Sequence, residues 1–116
     1  MELNVFERLL IRNIIPQIQG WNFGHMKEAR KLTESLFTPE EEEALQIKLD
    51  DEGKQVTWKV KDDSGNDIPQ SRDIEISEGL SKKFKKLLEQ LDRENKLEMS
   101  HYSLCEKFKI DEKPAP

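Results

Sequence analysis

The sequence has 116 residues, of which 37% are charged, and a formal net charge of −5. Leu, Ile, Val and Phe supply 30 of the residues, which is above the level of roughly 20% below which disorder is the default expectation. These values predict one folded domain with a thin core, and they argue against a nucleic-acid module that depends on an excess of basic residues.

Cysteine usage and hydropathy predict the compartment. Cys105 is the only cysteine, so no intramolecular disulfide is possible, which suits a reducing environment. No apolar run approaches the length of about 18 residues that a membrane span needs. The first residues lack the basic start and small-residue cleavage site of a signal peptide. We therefore expect a soluble, cytoplasmic protein.

Helical periodicity begins within the first few residues of the sequence. Apolar residues recur every three or four positions over residues 3–15, which predicts a first helix that is apolar over more than one face. The inward stripe comprises Leu3, Phe6, Leu10 and Ile14, widened by Val5, Leu9 and Ile15. Glu7, Arg8 and Arg12 are expected on the solvent side. Pro16 ends the helix, because proline disfavours helical geometry at the residue before it.

Two further helices follow a loop over residues 17–24. The second is predicted over about 25–36, with its inward positions at Met26, Ala29, Leu32 and Leu36. The third opens at Thr38, which can cap it, and Pro39 suits its first turn. Glu41 stands where a capping box needs an acid.

The apolar period then changes from helical spacing to two. Alternation over residues 45–49 and 56–60 predicts a β-hairpin, with its turn at 51–54. Asp, Ser, Gly and Asn residues predict a second turn over 62–67. Ile74 and Ile76 predict a third short strand.

Two helices close the chain. Ser77 can cap the first of them, which runs to about Asn95. Its stripe comprises Leu80, Phe84, Leu87, Leu88 and Leu91. The last helix is predicted over 98–108, with Leu104, Cys105 and Phe108 inward. Residues 111–116 are expected to form a frayed tail.

The predicted fold is therefore α+β, in the order α-α-α-β-β-β-α-α. A small antiparallel sheet of three strands, the hairpin plus the third strand, would pack on the N-terminal and C-terminal helices, because two layers are the least that hides both apolar surfaces. We expect residues 1–110 to form a single compact domain.

The candidates for site chemistry are weak. His101 and Cys105 lie four residues apart, but a zinc site needs three or four such ligands and only His25 remains. Cys105 also falls in an apolar stripe, which favours a packing role. The acids at 62–67 lack the alternation and the glycine position of a calcium loop. The prediction is a non-enzymatic protein with no catalytic residues, no cofactor and no metal.

Interaction residues are the remaining candidates. Large aromatic groups anchor many interfaces, although in a thin core they also serve for packing. The lysines early in the fourth helix form a basic patch or a merely solvated face. The candidate interaction residues are Trp21, Phe23, Trp58, Lys82, Lys83, Lys85 and Lys86. The acids at 40–43 and 50–52 suggest a surface for a basic partner, but helix capping and a polar turn explain them.

Several segments resemble a family of small uncharacterised proteins encoded by tailed bacteriophages and prophages. The segments are Leu3-Asn4-Val5-Phe6-Glu7-Arg8-Leu9-Leu10, Phe37-Thr38-Pro39-Glu40-Glu41, the hairpin around Trp58, Asp73-Ile74-Glu75-Ile76 and Ser100-His101-Tyr102-Ser103-Leu104-Cys105-Glu106-Lys107-Phe108. The resemblance spans most of the chain and carries no catalytic motif. It implies a small accessory protein in the bacterial host cytoplasm.

Three functions follow as hypotheses. The first is a phage-encoded accessory protein that binds another protein of the host or phage, as a modulator for example. The second is a winged-helix-like nucleic-acid-associated regulator that uses the lysines at 82–86 or a wing around Lys54 and Lys59. The third is a homo-oligomeric module whose first helix lies in a dimer seam. No membrane or small-molecule partner is predicted.

Overall fold

A computed structural model describes residues 1–49 and 55–110 of the chain. The elements are β1 (Glu2–Asn4), α1 (Val5–Ile14), α2 (Phe23–Ser35), α3 (Pro39–Leu45), β2 (Lys48–Leu49), β3 (Val56–Thr57), β4 (Ser71–Asp73), α4 (Glu78–Arg93) and α5 (Tyr102–Lys107). Single 3-10 turns occupy Ile15–Gln17 and Met99–His101. The predicted α+β class is confirmed. No helix in these two ranges is long and apolar enough to cross a membrane.

The strands pair differently from the prediction. β1 pairs antiparallel with β4, so that Leu3 lies opposite Arg72, and β2 pairs antiparallel with β3. The described ranges therefore contain two two-stranded sheets instead of one three-stranded sheet, and the order begins with a strand. A strand as short as β1 shows no usable alternation. Its partner β4, which lies more than half the length of the chain away, is chosen by tertiary packing.

α1 buries a different face from the one predicted. The helix starts after Leu3 because Asn4 caps it: Asn4 Oδ1 accepts the Glu7 N–H at 2.8 Å, and Glu7 Oε1 accepts the Asn4 N–H at 3.0 Å. Glu7 and Arg8 are buried, whereas Phe6 is 40% exposed. The expectation that Phe6 points inward and both charged residues outward is therefore wrong. The buried side combines them with Val5, Ile11 and Ile14.

α2 starts two residues earlier than predicted. The Asn22 side chain accepts the His25 N–H at 2.7 Å, so Phe23 and Gly24 belong to the helix and not to the preceding loop. The predicted core positions at Ala29, Leu32 and Leu36 are buried, but Met26 is 51% exposed, so its predicted core position is wrong.

α3 starts as predicted. Thr38 Oγ1 accepts the Glu41 N–H at 3.1 Å, and Glu41 Oε1 accepts the Thr38 N–H at 3.0 Å. This reciprocal pair is the predicted capping box, with Pro39 as the first helical residue. It satisfies two backbone donors that the helix geometry leaves without partners.

Thr38→Ala is expected to lower the free energy of unfolding by about 1 kcal/mol, because the cap hydrogen bond is lost. Urea denaturation followed by circular dichroism measures the change. Thr57→Ala, at an exposed strand position, serves as the control. Equal stabilities for the two variants would show that the capping box contributes nothing.

The C-terminal helices follow the prediction closely. Ser77 Oγ accepts the Leu80 N–H at 3.2 Å and so caps α4. The Phe84 and Phe108 rings meet edge to face, with their centroids 5.8 Å apart. A 3-10 turn replaces the predicted first turn of α5. The buried apolar side chains of the described residues form one cluster, with Cys105 partly buried at its margin.

The hairpin and the turn at 62–67 are present. β2 and β3 have two residues each, which is shorter than the alternation predicted, and Leu49 and Val60 are exposed. Asp62 Oδ1 accepts the N–H groups of Ser64 and Asn66, both at 2.9 Å, as a polar turn requires. The predicted turn at 51–54, the acids at 50–52 and the tail at 111–116 lie outside the described residues.

Candidate functional site

α2 and α4 pack against each other at the centre of the candidate site. Ser77 Oγ donates a hydrogen bond to Glu28 Oε2 at 3.0 Å. A Cβ atom added at Gly79 would lie 2.9 Å from His25 Nε2, so the glycine leaves the space that this imidazole ring occupies. The helices thus approach closely, with the start of α2 beside the first turns of α4.

This packing brings together predicted residues from distant parts of the sequence. Lys83 Nζ donates a hydrogen bond to the Gly20 carbonyl at 3.3 Å and lies 5.3 Å from the centroid of the Trp21 ring. Lys27 Nζ lies 4.6 Å from the centroid of the Phe23 ring. Trp21 is partly buried, whereas Phe23 is 69% exposed. Each of these two aromatic rings, one just before α2 and one in its first turn, therefore has a lysine ammonium group close to it.

Further basic residues extend this surface along both helices. Lys27, Arg30 and Lys31 follow Phe23 at helical spacing and share its face of α2. On α4, Lys86 shares the side of Lys83 by the same rule. The term aromatic-basic face denotes two groups of residues, one on each helix. The first is Phe23, Lys27, Arg30 and Lys31 on one side of α2, and the second is Lys82, Lys83 and Lys86 of α4 with Trp21.

Two of these cations have acidic partners within their own helix. Lys82 Nζ lies 3.5 Å from Glu78 Oε1, and Arg30 Nε lies 3.4 Å from Glu34 Oε1. Both pairs are exposed, so each contributes little to stability. Lys85 follows Lys83 by two positions, so the two side chains lie on different sides of α4.

Trp58 serves another part of the fold. Its Nε1 donates a hydrogen bond to Gln70 Oε1 at 2.8 Å, and Gln70 Nε2 donates to the Ile68 carbonyl at 3.0 Å. The partly buried indole thereby joins the segment after β3 to the segment before β4. The contacts of Trp58 are those of a packing residue, which is the alternative that the sequence left open.

A buried charge network, unforeseen from the sequence, holds α1, α3 and β4 together. Arg8 is fully buried, and its Nη1 donates to Glu41 Oε2 at 2.7 Å and to the Leu36 carbonyl at 2.8 Å. Its Nη2 donates to the Gln70 carbonyl at 3.2 Å. Arg72 Nε donates to the other Glu41 oxygen at 3.0 Å. Glu41 thus caps α3 and binds two guanidinium groups.

The two acids that join α1 to other elements have shifted pKa values. Burial raises the pKa of Glu41, but the Thr38 N–H and the charges of Arg8 and Arg72 outweigh it and hold the pKa below the ordinary value of 4.5. Burial likewise raises the pKa of Glu7. The hydrogen bond from Lys107 Nζ, at 2.7 Å, is the main interaction that reverses this, and the net pKa is lowered.

We expect the free energy of unfolding to fall as the pH drops below about 4.5. A carboxyl group with a lowered folded-state pKa stabilises the protein above its unfolded-state pKa, and this stabilisation disappears as the pH falls through the folded-state value. Urea denaturation at a series of pH values measures the slope. Glu7→Gln is expected to flatten it, because the variant has no carboxyl group to titrate at this position.

His101 makes a local contact with the backbone at the start of the last helical segment. His101 Nδ1 accepts the Glu98 N–H at 2.9 Å, which commits this nitrogen to the start of the 3-10 turn. Over residues 1–49 and 55–110, no three His, Cys, Asp or Glu side chains are placed to hold a metal ion.

Comparison with known proteins adds no relative. No protein family, no curated protein and no solved structure matches the chain.

Proposed function

We propose that the protein is a non-enzymatic protein-binding module, a phage-encoded or prophage-encoded accessory protein of the bacterial host cytoplasm. Its binding surface is the aromatic-basic face. The partner is a protein with an acidic surface around an apolar recess that accepts Phe23. The observation that carries the proposal is Phe23 itself, which is 69% exposed at the capped start of α2 and lies under Lys27.

The helical position of Phe23 suits an anchor. An aromatic ring has few rotatable bonds, so it loses little conformational entropy when it binds, and interface hot spots are enriched in aromatic side chains. Asn22 caps the helix at this point, which fixes the backbone that carries the ring. Lys27 and Lys83 then supply charge beside the apolar contact.

The charge of the aromatic-basic face is opposite to that of the whole chain. The net charge of −5 repels acidic proteins on average, whereas this face concentrates cations. Complementary potentials steer encounter and set orientation more than they add affinity. An acidic partner is therefore guided to this face in preference to the remaining surface.

A nucleic-acid partner fits these features less well. The helix that a winged-helix protein would place in the major groove corresponds to α3, which has seven residues and exposes Glu40, Glu42 and Glu43. Phosphates would meet like charge there. In the described part of the predicted wing, Lys59 is paired with Asp63 at 3.5 Å.

The test is affinity capture from nuclease-treated bacterial lysate, read by mass spectrometry, with the tagged wild type and two variants. Phe23→Ala removes the anchor, and Met99→Ala removes an even more exposed apolar side chain, 86% accessible, from another part of the fold. We expect the wild type and Met99→Ala to retain an acidic protein that Phe23→Ala loses. Retention should weaken as the salt concentration rises.

Other outcomes would contradict the proposal. Equal capture by Phe23→Ala would show that the aromatic-basic face is not the binding surface. Nucleic acid recovered when nuclease is omitted, and lost in a Lys82→Ala, Lys86→Ala double variant, would support the nucleic-acid alternative. Turnover of a metabolite that Cys105→Ala abolishes would show that the protein is an enzyme.

A further inference from the structure

The outer face of α1 is apolar although its inner face carries buried charge. Glu7 and Arg8 occupy inward positions, whereas Phe6, Leu9 and Leu10 lie on the side away from the core centre. Phe6 is 40% exposed. Leu9 and Leu10 are half-buried against the margin of the core, so Phe6 is the exposed apolar side chain of this face.

These residues form one wall of a groove. The opposite wall is built by Ile47, Leu49 and Val56, from the β2–β3 hairpin and the residues before it. The groove has a volume of about 850 Å³. Leu49 is 66% exposed, so each wall presents a large apolar side chain to solvent.

The rim of the groove carries both signs of charge. Arg12 and Asn13 lie on the α1 side, while Glu42 of α3 and Glu98 also line it. Arg12 and Glu42 are exposed. A partner with charge of one sign would therefore meet like charge at one part of the rim. A second copy of the same surface, related by a twofold axis, can place its acidic group opposite the basic group of the first copy and its basic group opposite the acidic one.

We propose that a second copy of this chain covers the groove and forms a twofold-symmetric dimer. The Phe6 side chain of each protomer enters the groove of its partner, and each Arg12 faces the partner's Glu42. In a twofold interface every contact occurs twice, so both grooves are covered and the Arg12 and Glu42 charges of both protomers are paired. The dimer presents two aromatic-basic faces, which raises the avidity for a partner that also has two sites.

Sedimentation equilibrium over a range of protein concentrations tests the dimer. The wild type is expected to shift from the mass of one chain to that of two as concentration rises. Arg12→Glu and Glu42→Arg are each expected to raise the dimer dissociation constant about tenfold, because each places like charges opposite one another. The double variant restores dimerisation to within about threefold of wild type, because it exchanges the two signs.

The controls separate the interface from folding and from the proposed function. Phe6→Ser is expected to abolish the dimer at concentrations where the wild type is dimeric, with a circular dichroism spectrum unchanged. Arg30→Glu, a charge reversal at an 84% exposed side chain outside the groove, and Phe23→Ala should dimerise as wild type does. A monomer mass at every concentration, or a dimer that neither rim variant nor Phe6→Ser weakens, would overturn the inference.

Discussion

Arg8→Met is expected to lower the free energy of unfolding by about 3–5 kcal/mol, the usual effect of removing one partner from a buried ion pair. The substitution keeps an unbranched side chain but removes every charged hydrogen bond of Arg8. The Leu36 and Gln70 carbonyls each lose a donor, and Glu41 keeps only Arg72 as a cationic partner. Small domains have a total stability of roughly 5–15 kcal/mol, so a large fraction would be lost.

Urea denaturation followed by circular dichroism measures this effect, with Arg12→Met as the matched control. Both arginines lie over the Phe37 ring, at 4.6 Å and 5.0 Å, but Arg12 is exposed and Arg8 is fully buried. A comparison of the two variants therefore separates the buried network from the cation–π contact. Equal losses in the two variants would show that the network does not stabilise the fold.

Phe84→Ala is expected to lower the free energy of unfolding by about 3–5 kcal/mol, because a buried ring leaves a cavity that its surroundings fill only in part. Phe84 is fully buried on α4 and meets Phe108 edge to face, so the same change removes the main aromatic contact between α4 and the end of α5. Thermal and urea denaturation measure the loss.

Phe23→Ala is the matched control for Phe84→Ala, since it also deletes a phenyl ring, but at a 69% exposed position. A change within about 0.5 kcal/mol is expected for it. This result would also validate the capture experiment, because lost binding in a stable variant cannot be attributed to unfolding. A loss for Phe23→Ala as large as that for Phe84→Ala would assign Phe23 to the core and contradict the proposed binding surface.

Local signals predicted the elements whose causes lie within a few residues. Thr38 and Glu41 form the predicted capping box, and Ser77 caps α4 as expected. The Asn4 and Glu7 box follows the same spacing and was available in the sequence, although the apolar stripe that begins at Leu3 obscured it. Caps are readable because donor and acceptor are three residues apart.

The core face of α1 was not predictable in the same way. Arg8 is tolerated in the core because carbonyl groups of Leu36 and Gln70 and the carboxylate of Glu41 surround it. Burial of a charge requires this full set of partners. Hydrophobic periodicity contains no information on partners supplied by residues far along the chain, so it placed Phe6 inward instead.

The candidate site was likewise predictable only in part from the sequence. Composition alone identified Trp21, Phe23 and the lysines of α4 as interaction candidates, but it did not distinguish Lys83 from Lys85. The packing of α2 on α4 made that distinction, since it placed Lys83 against Trp21. Arg30 and Lys31 joined the aromatic-basic face only when the boundary of α2 was known.

By itself, the sequence determined the α+β class, the positions of most helices, the caps of α3 and α4 and the polar turn at 62–67, because propensity, capping and apolar period act over short distances. Only the tertiary structure decided that β4 pairs with β1, that Arg8 is buried and Phe6 is not, and that Trp21 meets Lys83. Each of these depends on free energy gained between residues distant in sequence, such as strand hydrogen bonds, buried ion pairs and helix packing. No local pattern encodes which distant partner satisfies a given group.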